Sequence, residues 1–213
     1  MPSQETNLKQ QLRQKIKRHL ATLSYDRDKI ALALFQNLMS IDAIRNAQTV
    51  GIYVDFKTEA PTRQFLPKLF ERNSTKTNTI AIPYCIGSNM NFYKLQYPQI
   101  DTITGQPVFL DLEPTEPFGI LEPRQELRKD PTYNIGPEEI DVLITPGLGF
   151  DRAGRRLGRG AGFYDRYIPL LRQDALVVGI CFDEQLIEEA PINEFDIPVS
   201  IVITPTQIIY AQR

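Results

Sequence analysis

The sequence predicts an α/β fold, specifically a three-layer α/β/α sandwich around a mostly parallel sheet. Short runs of β-branched residues alternate with stretches of helical periodicity, and a strand, a helix and a strand follow one another between residues 49 and 83. This order favours parallel pairing of the two strands. No linker or internal repeat interrupts the 213 residues, so we expect a single domain over residues 1–213.

Two helices are expected to open the chain. Over residues 4–23, apolar residues recur at helical spacing with charged residues between them: Leu8, Leu12, Ile16, Leu20 and Leu23. A second helix is predicted over residues 25–40, with Asp26 near its start. The strand–helix–strand unit then follows at residues 49–54, 61–72 and 79–83.

The second half of the chain begins with a predicted strand at residues 91–96. Residues 97–137 are rich in proline, glycine and polar residues without a clean period, so we expect an irregular excursion over the surface. A strand at 140–145 precedes a glycine-rich loop. After it we expect a helix over 162–172 and strands at 175–181, 200–203 and 208–210.

Composition excludes several classes of function. The net charge of −2 gives no global electrostatic reason to bind a nucleic-acid backbone or an anionic membrane. No segment approaches the roughly 20 apolar residues of a membrane span, and the N-terminus lacks the apolar stretch of a secretory signal. We therefore expect a cytoplasmic protein with no nucleic-acid or membrane partner. Small-molecule substrates and a monomeric state are separate expectations that do not follow from composition.

The single histidine and the two cysteines limit the possible chemistry. His19 lies in the charged first helix, where a solvated role is expected, and one imidazole excludes multi-histidine metal sites. Its position also disfavours Ser-His-Asp and Cys-His catalysis. Cys85 and Cys181 each lie in an apolar strand-like run, so we expect free core thiols.

The glycine-rich loop is the strongest candidate site. Six of the twelve glycines fall between positions 147 and 162, after a strand and before a helix, and residues 151–166 contain five arginines against two aspartates. Glycines let backbone N–H groups approach a ligand, a helix N-terminus favours anions, and guanidinium groups bind phosphoryl oxygens in pairs. The loop fits neither the Walker A nor the dinucleotide spacing. On composition alone, a solvated hairpin with basic tips is an equal alternative.

The first helix offers a second basic element. Lys9, Arg13 and Lys17 are four residues apart and therefore share one helical face, where an anionic ligand could offset their repulsion. An ordinary basic solvent face is the alternative.

Two neighbouring segments carry a resemblance to a known family. Residues 144–151 read ITPGLGFD and residues 156–167 read RLGRGAGFYDRY, which resembles the signature of 5-formyltetrahydrofolate cyclo-ligases. Weaker matches run almost end to end: Lys9 with Leu12-Arg13, Ile52-Tyr53 followed by Glu59, Ile82-Pro83 with Met90, Phe118 to Pro123, and Asn193 to Asp196. The family fold is a three-layer sandwich resembling phosphosugar isomerases and CoA transferases.

The resemblance implies an ATP- and Mg²⁺-dependent closure of 5-formyltetrahydrofolate to 5,10-methenyltetrahydrofolate, with release of ADP and phosphate. ATP would be a co-substrate, and the formyl oxygen would become phosphorylated before N10 attacks. This chemistry asks for positioning and charge neutralisation rather than a protein nucleophile.

The resemblance also implies a nucleotide site. Lys9 and Arg13 would hold ATP phosphates, and Arg156 and Tyr164 would be catalytic. The loop that closes over the nucleotide would comprise Arg156, Gly158, Arg159, Gly160, Ala161, Gly162, Phe163 and Tyr164. Ala161 stands where relatives often carry Lys or Gly, although Arg159 nearby keeps positive charge.

For the folate, the resemblance implies that Glu59 accepts two N–H bonds from the amino-pyrimidine edge of the pterin. Because Glu59 is far in sequence from the glycine loop, we expect it to serve folate and not ATP. The remaining substrate contacts would come from Val54, Met90, Arg159, Gly160, Ala161, Gly162 and Phe163. Tyr84 and Phe92 are further possible walls, with a plain core role at least as probable for both.

Asp165 and Asp196 are the implied Mg²⁺ ligands, since a hard cation takes carboxylate oxygens and keeps several waters. The structural alternatives are a helix cap for Asp165 and a loop turn for Asp196.

Two other functions remain open for the chain. One is a non-catalytic folate- or nucleotide-binding relative. The other is an RNA-binding protein, which the acidic charge balance and the position of the loop between a strand and a helix both disfavour.

Overall fold

The computed structural model describes residues 4–72, 78–117 and 119–211. Phe118, which belongs to one of the family-like segments, lies outside the described residues. The α-helices of the described part are α1 (Gln4–Thr22), α2 (Arg27–Met39), α3 (Asp42–Arg45), α4 (Leu66–Phe70) and α5 (Phe163–Tyr167). Within these residues, no helix combines the length and the apolar character needed to cross a bilayer.

The strands of the described residues fall into one large sheet and three two-stranded hairpins. In chain order they are β1 (Thr49–Ile52), β2 (Thr79–Ile86), β3 (Asn89–Lys94), β4 (Gln99–Ile100), β5 (Pro107–Val108), β6 (Leu112–Thr115), β7 (Ile120–Pro123), β8 (Asn134–Ile135), β9 (Val142–Thr145), β10 (Gly149–Phe150), β11 (Arg156–Leu157), β12 (Leu176–Ile180), β13 (Ile201–Ile203) and β14 (Ile208–Tyr210).

The large sheet has the order β14-β13-β12-β9-β1-β2-β3-β8. Its five central strands, β13, β12, β9, β1 and β2, pair in parallel. The outer strands β14, β3 and β8 pair antiparallel to their neighbours. The sheet is therefore mostly parallel, which confirms the predicted fold class.

Local sequence explains the first elements. The Asp26 side chain accepts a hydrogen bond from the Lys29 backbone N–H at 3.1 Å, which caps α2 at its start. Every residue of β1 is buried, as expected for a central parallel strand that is covered on both faces.

Alternation along the strands divides the core into two clusters, one on each face of the sheet. Ile80 and Ile82 of β2 belong to a cluster that includes residues of α1, α2 and α4. Ala81, between them, belongs to the other cluster, which includes Tyr167 of α5 and Ile168. Helices therefore cover both faces, and the structure has three layers.

Two sequence predictions need correction. The helix expected over 162–172 is only α5, followed by a 3-10 turn at Ile168–Leu170, because Pro169 lacks the N–H that would continue an α-helix. The excursion at 97–137 is not wholly irregular, since it contains β4 to β8. Most of these strands have two residues, too few to show a period in the sequence.

Candidate active site

The sheet order predicts a ligand crevice at the carboxyl ends of β1 and β9. These strands are neighbours, but the chain crosses from β1 towards β2 on one side and from β9 towards β12 on the other. The two connections therefore diverge and leave a gap, which is where ligands bind in open parallel sheets. The loop after β1 contains Glu59, and the loop after β9 contains the glycines and arginines.

Glu59 is buried in the loop after β1, with 11% of its side chain exposed. Its Oε2 accepts a hydrogen bond from the Phe56 backbone N–H at 2.9 Å, and its Oε1 accepts one from Arg159 Nε, also at 2.9 Å. Burial raises the pKa of the Glu59 carboxyl, while the charge of Arg159 and the Phe56 N–H oppose that rise. The carboxylate is thus oriented by one backbone donor and one exposed cation.

The Glu59–Arg159 ion pair joins two segments that are distant in sequence. Glu59 and the glycine loop are 100 residues apart, yet Arg159 contacts the Glu59 carboxylate directly. The two segments meet because parallel strands bring their following loops to one edge of the sheet. Any ligand of Glu59 must compete with, or bind beside, a residue of the glycine loop.

Arg156 is a buried cation of this site. It lies on β11, and its Nη2 donates to Asp165 Oδ1 at 2.6 Å. Its guanidinium carbon lies 5.5 Å from the centre of the Tyr164 ring, and its Nε has no hydrogen-bond partner among the described residues. A buried guanidinium with spare donor capacity is suited to binding an anion.

Tyr164 lies within electrostatic reach of both charged groups. Burial and the nearby charge of Glu59 raise the pKa of its hydroxyl, and Arg156 only partly opposes them. The hydroxyl therefore stays protonated at physiological pH and can donate a hydrogen bond.

The basic face of α1 lies along the glycine loop. Arg13 Nε donates to the Gly158 carbonyl at 2.9 Å, and a Cβ at Gly160 would lie 3.7 Å from the Arg13 guanidinium carbon. One turn earlier, buried Lys9 forms an ion pair with Asp196. Lys17, in contrast, is exposed. The structure thus brings two of the three basic residues of this face to the site.

The six glycines of the loop divide into two groups, and in only one of them is the nearest side chain that of an arginine. A Cβ at Gly147 would lie 2.6 Å from the Phe150 ring, and one at Gly149 would lie 3.1 Å from Ile16, so these glycines permit close packing. Gly154 has a φ of 78° in the turn between β10 and β11. The side chains nearest to the other three are those of Arg156, Arg13 and Arg166, which approach Gly158, Gly160 and Gly162 respectively.

Of the expected phosphate cradle, Gly158, Gly160 and Gly162 are the glycines that lie nearest to arginine side chains. The helix α5 that follows them has five residues, too few to supply a full helix dipole. The predicted alternative of a hairpin with basic tips is partly confirmed: β10 pairs with β11, and Arg152 at the tip is exposed. The strand residues of this hairpin are buried rather than solvated. Arg166 secures the following turn by donating to the Ala161 carbonyl at 3.0 Å and to the Ser88 carbonyl at 2.9 Å. Its guanidinium also lies 5.3 Å from the centre of the Phe163 ring.

The expected apolar walls belong to the two core clusters. Val54 and Tyr84 pack with the cluster under α1, α2 and α4. Met90 and Phe92 pack with the opposite cluster, against which Phe163 and Tyr164 lie. Tyr84 and Phe92 are 4% and 1% exposed, which favours the core role for both.

Asp165 and Asp196 are each paired with a cation, Arg156 and Lys9 respectively. Among the residues that the structure describes, no three His, Cys, Asp or Glu side chains are gathered as metal ligands. A cage made by the protein alone is thus absent from the described part of the chain. Mg²⁺ is commonly held by one or two carboxylates together with substrate phosphates, and two partly exposed aspartates fit that mode.

Sequence reasoning missed two buried residues that hold the glycine loop in place. Asp151 accepts hydrogen bonds from the backbone N–H groups of Ala153, Arg155 and Ala190. Gln185 donates to the carbonyls of Gly147 and Leu148. Asp151 lies inside the family-like segment and was visible there, whereas nothing in the sequence marks Gln185.

The fold and the site together define a class of protein. Cations of α1 and β11 lie beside the glycine loop, and Arg159 of that loop contacts the Glu59 carboxylate at the switch point of a parallel sheet. This arrangement is typical of an α/β enzyme that binds an anionic small molecule.

Comparison with known proteins gives the particular family. Residues 5–205 match the model of the 5-formyltetrahydrofolate cyclo-ligase family, and the chain belongs to this family. The 5-formyltetrahydrofolate cyclo-ligase of Escherichia coli (strain K12) is 30% identical over 174 residues, covering 80% of this chain and 85% of that protein. The Saccharomyces cerevisiae protein of the same name is 27% identical over 212 residues, covering 92% and 94%. Membership places the chain among enzymes, as a ligase of folate one-carbon metabolism.

Solved structures support the same assignment. The NMR structure of Aquifex aeolicus 5,10-methenyltetrahydrofolate synthetase matches with a TM-score of 0.74 at 25% identity, covering 97% of this chain and 94% of that one. A 5,10-methenyltetrahydrofolate synthetase from Mycoplasma pneumoniae, at 20% identity and a TM-score of 0.67, has the same fold and covers 92% and 98%. The analogy with phosphosugar isomerases and CoA transferases stays a prediction.

Proposed function

We propose that this chain closes 5-formyltetrahydrofolate to 5,10-methenyltetrahydrofolate at the expense of ATP. Family membership supports the reaction. The contact between Glu59 and Arg159 supports assigning the reaction to this site. It joins a carboxylate that can accept the N–H groups of a pterin to a loop that can bind phosphates. Two different substrates can then meet in one crevice.

The reaction proceeds in two steps. The formyl oxygen attacks the γ-phosphorus of ATP, the bond from that phosphorus to the β–γ bridging oxygen breaks, and ADP leaves. N10 then attacks the activated formyl carbon and loses its proton to water, and the carbon–oxygen bond breaks with release of phosphate. Neither step requires a nucleophile from the protein, so positioning and charge stabilisation supply the catalysis.

The nucleotide is assigned to the cationic side of the crevice. Lys9 and Arg13 bind phosphates from α1, and residues 158–164 lie over the nucleotide. Arg156 neutralises charge on the transferring phosphoryl group, and its burial and unpaired Nε support this role. Tyr164 donates a hydrogen bond beside it, which its protonated hydroxyl permits.

The folate is assigned to the side of the crevice that contains Glu59. Its carboxylate accepts N–H groups of the amino-pyrimidine ring, while Val54 and Met90 supply apolar contacts. The backbone of residues 159–163 lies between the two ligands and contacts both.

We assign Mg²⁺ to a site that forms only when the nucleotide is bound. Asp165 and Asp196 would hold the cation together with the phosphates, and the bound cation would neutralise phosphate charge. Both aspartates must then leave, or share, their present partners Arg156 and Lys9.

The test is to mix purified protein with 5-formyltetrahydrofolate, ATP and Mg²⁺ and follow the methenyl chromophore in the near ultraviolet. We expect product only when ATP and Mg²⁺ are both present. Product at an equal rate without nucleotide would refute the mechanism. Binding of both ligands without product would instead indicate a non-catalytic relative.

A further inference from the structure

The loop that carries Glu59 is closed at its base by Asp55 and Thr62. The Asp55 backbone N–H donates to Thr62 Oγ1 at 3.0 Å, and the Thr62 backbone N–H donates to Asp55 Oδ1 at 2.9 Å. Thr62 is fully buried, and its hydroxyl also donates to the Tyr53 carbonyl at 2.8 Å. The two ends of the loop are therefore fixed to each other and to the end of β1.

Arg27, from the first turn of α2, ties the tip of the loop to this base. Its Nη2 donates to Asp55 Oδ2 at 2.7 Å and to the Glu59 carbonyl at 3.0 Å, and its Nη1 approaches the Lys57 carbonyl at 3.4 Å. Lys57 has a φ of 51°, which is uncommon for a residue with a side chain and costs energy. The guanidinium thus contacts the loop on both sides of its bend.

The direction of the Glu59 carboxylate depends on this frame. Its Oε2 is held by the backbone N–H of Phe56, the residue that follows Asp55. A shift of the Asp55 end moves that donor, and a shift of the Arg27 contact moves the Glu59 backbone itself. Arg27 and Asp55 therefore act on both anchors of the carboxylate.

We infer that Arg27 and Asp55 are positioning residues that aim Glu59 at the substrate. Neither needs to touch the folate, and the inference rests on the proposed function of Glu59 as the pterin acceptor. A pair that serves only stability would change the amount of folded enzyme. A positioning pair also changes the KM for one substrate and not for the other.

The experiment compares Arg27→Gln, Arg27→Lys and Asp55→Asn with a matched pair elsewhere. Arg172 pairs with Asp141 at the opposite, amino-terminal edge of the parallel strands. Side-chain exposures are comparable, at 32% and 10% for Arg27 and Asp55 against 38% and 22% for Arg172 and Asp141. Arg172→Gln is therefore the control for loss of a partly buried ion pair.

We expect Arg27→Gln and Asp55→Asn to raise the KM for 5-formyltetrahydrofolate by about tenfold while leaving the KM for ATP within about twofold. Arg27→Lys should give an intermediate rise, since an ammonium cannot span the partners of a planar guanidinium. Arg172→Gln should lower the thermal midpoint and leave both KM values unchanged.

Two results would overturn the inference. One is an unchanged folate KM in Arg27→Gln and Asp55→Asn, with only the thermal midpoint lowered. The other is an equal rise of both KM values. If Arg27→Gln or Asp55→Asn fails to fold, the two KM values of Arg27→Lys, which retains the charge, decide between a positioning and a purely structural role. Lack of product with the wild-type protein would refute the proposed function instead, and it is measured first.

Discussion

Arg156 of the β10–β11 hairpin is buried, bonds to the Asp165 carboxylate and lies beside the Tyr164 ring. Truncation to alanine would remove a fork of charged donors, so we expect Arg156→Ala to lose about 2 to 4 kcal/mol of transition-state stabilisation in ATP use. Arg156→Lys should restore only part of this, because a point charge cannot reproduce bidentate geometry. Steady-state kinetics with varied ATP measures both effects.

The matched control for Arg156 is Arg152→Ala. Arg152 lies in the same hairpin, but it is exposed and bonds to the Gln207 side chain. We expect its kinetics to equal those of the wild type. Unchanged kinetics in both Arg156 variants would show that Arg156 is only a structural partner of Asp165.

In the proposed role, Glu59 accepts ring N–H groups as a carboxylate. Its raised pKa therefore limits how far the pH can fall before folate binding weakens. As the pH falls through that pKa, the carboxylate gains a proton and folate affinity decreases. We therefore expect the acid limb of folate binding to lie above the ordinary glutamate range. Arg159→Ala removes the positive charge that opposes the rise in the Glu59 pKa. The loss of folate binding at acid pH should therefore begin at a still higher pH in this variant. Calorimetric titration of folate across pH in both proteins tests this, and coincident limbs would contradict it.

Glu59→Gln supplies the complementary result. The amide preserves shape, but its nitrogen faces a ring donor and leaves a buried N–H unpaired, at a cost of about 1 to 3 kcal/mol. We expect folate affinity to fall roughly tenfold or more and its acid limb to disappear. Weakened ATP binding with intact folate binding would show that Glu59 belongs to the other half of the site.

At the scale of elements, the position of the β10–β11 hairpin depends on two glycines. The fully buried Phe150 ring lies in a niche where a Cβ at either Gly147 or Gly179 would collide with it. Phe150 pairs in register with Arg156 across the hairpin. Packing around the Phe150 ring therefore decides where the Arg156 guanidinium lies.

We expect Gly179→Ala to cost about 1 to 3 kcal/mol in the free energy of unfolding, because the core must accept an extra methyl group against an aromatic ring. The same substitution should also lower kcat by displacing Arg156. Urea unfolding measures the first effect. In a Phe150→Leu background the methyl group has more room, so the cost should shrink, and an equal cost in both backgrounds would exclude the proposed collision.

Elements with clear periodicity could be predicted, and short ones could not. The Leu/Ile spacing of residues 4–23 predicted α1, and the β-branched runs predicted β1, β2, β9 and β12. Strands of two residues, such as β10 and β11, contain no period. The end of α5 was missed although Pro169 marks it, since apolar residues continue beyond that point.

At the scale of the whole molecule, the order of strands determines which residues meet. The sequence predicted a mostly parallel sheet but not that β1 and β9 are neighbours, because strand order depends on long-range packing. For that reason the direct contact between Glu59 and Arg159 was not foreseen, although both residues were predicted to bind the substrate. The network of Arg27, Asp55 and Thr62 was invisible for the same reason.

Candidate site residues were easiest to identify where one segment contains several chemical groups together. Residues 156–167 contain arginine, glycine, tyrosine and aspartate in one run, which predicted an anion site but left a solvated hairpin as an equal alternative. Asp165 and Asp196 were predicted as metal ligands, and each is paired with a predicted phosphate-binding cation. These pairings depend on tertiary structure and could not be derived from composition.

The central claim is that phosphoryl transfer from ATP drives ring closure in the crevice between β1 and β9. The most direct test measures ADP and methenyl product in the same reaction, with wild-type protein and with Arg156→Ala. We predict equal amounts of the two products in the wild type and a parallel loss of both in the variant. Methenyl product without ADP, or ADP formation that persists unchanged when methenyl product is lost, would contradict the account.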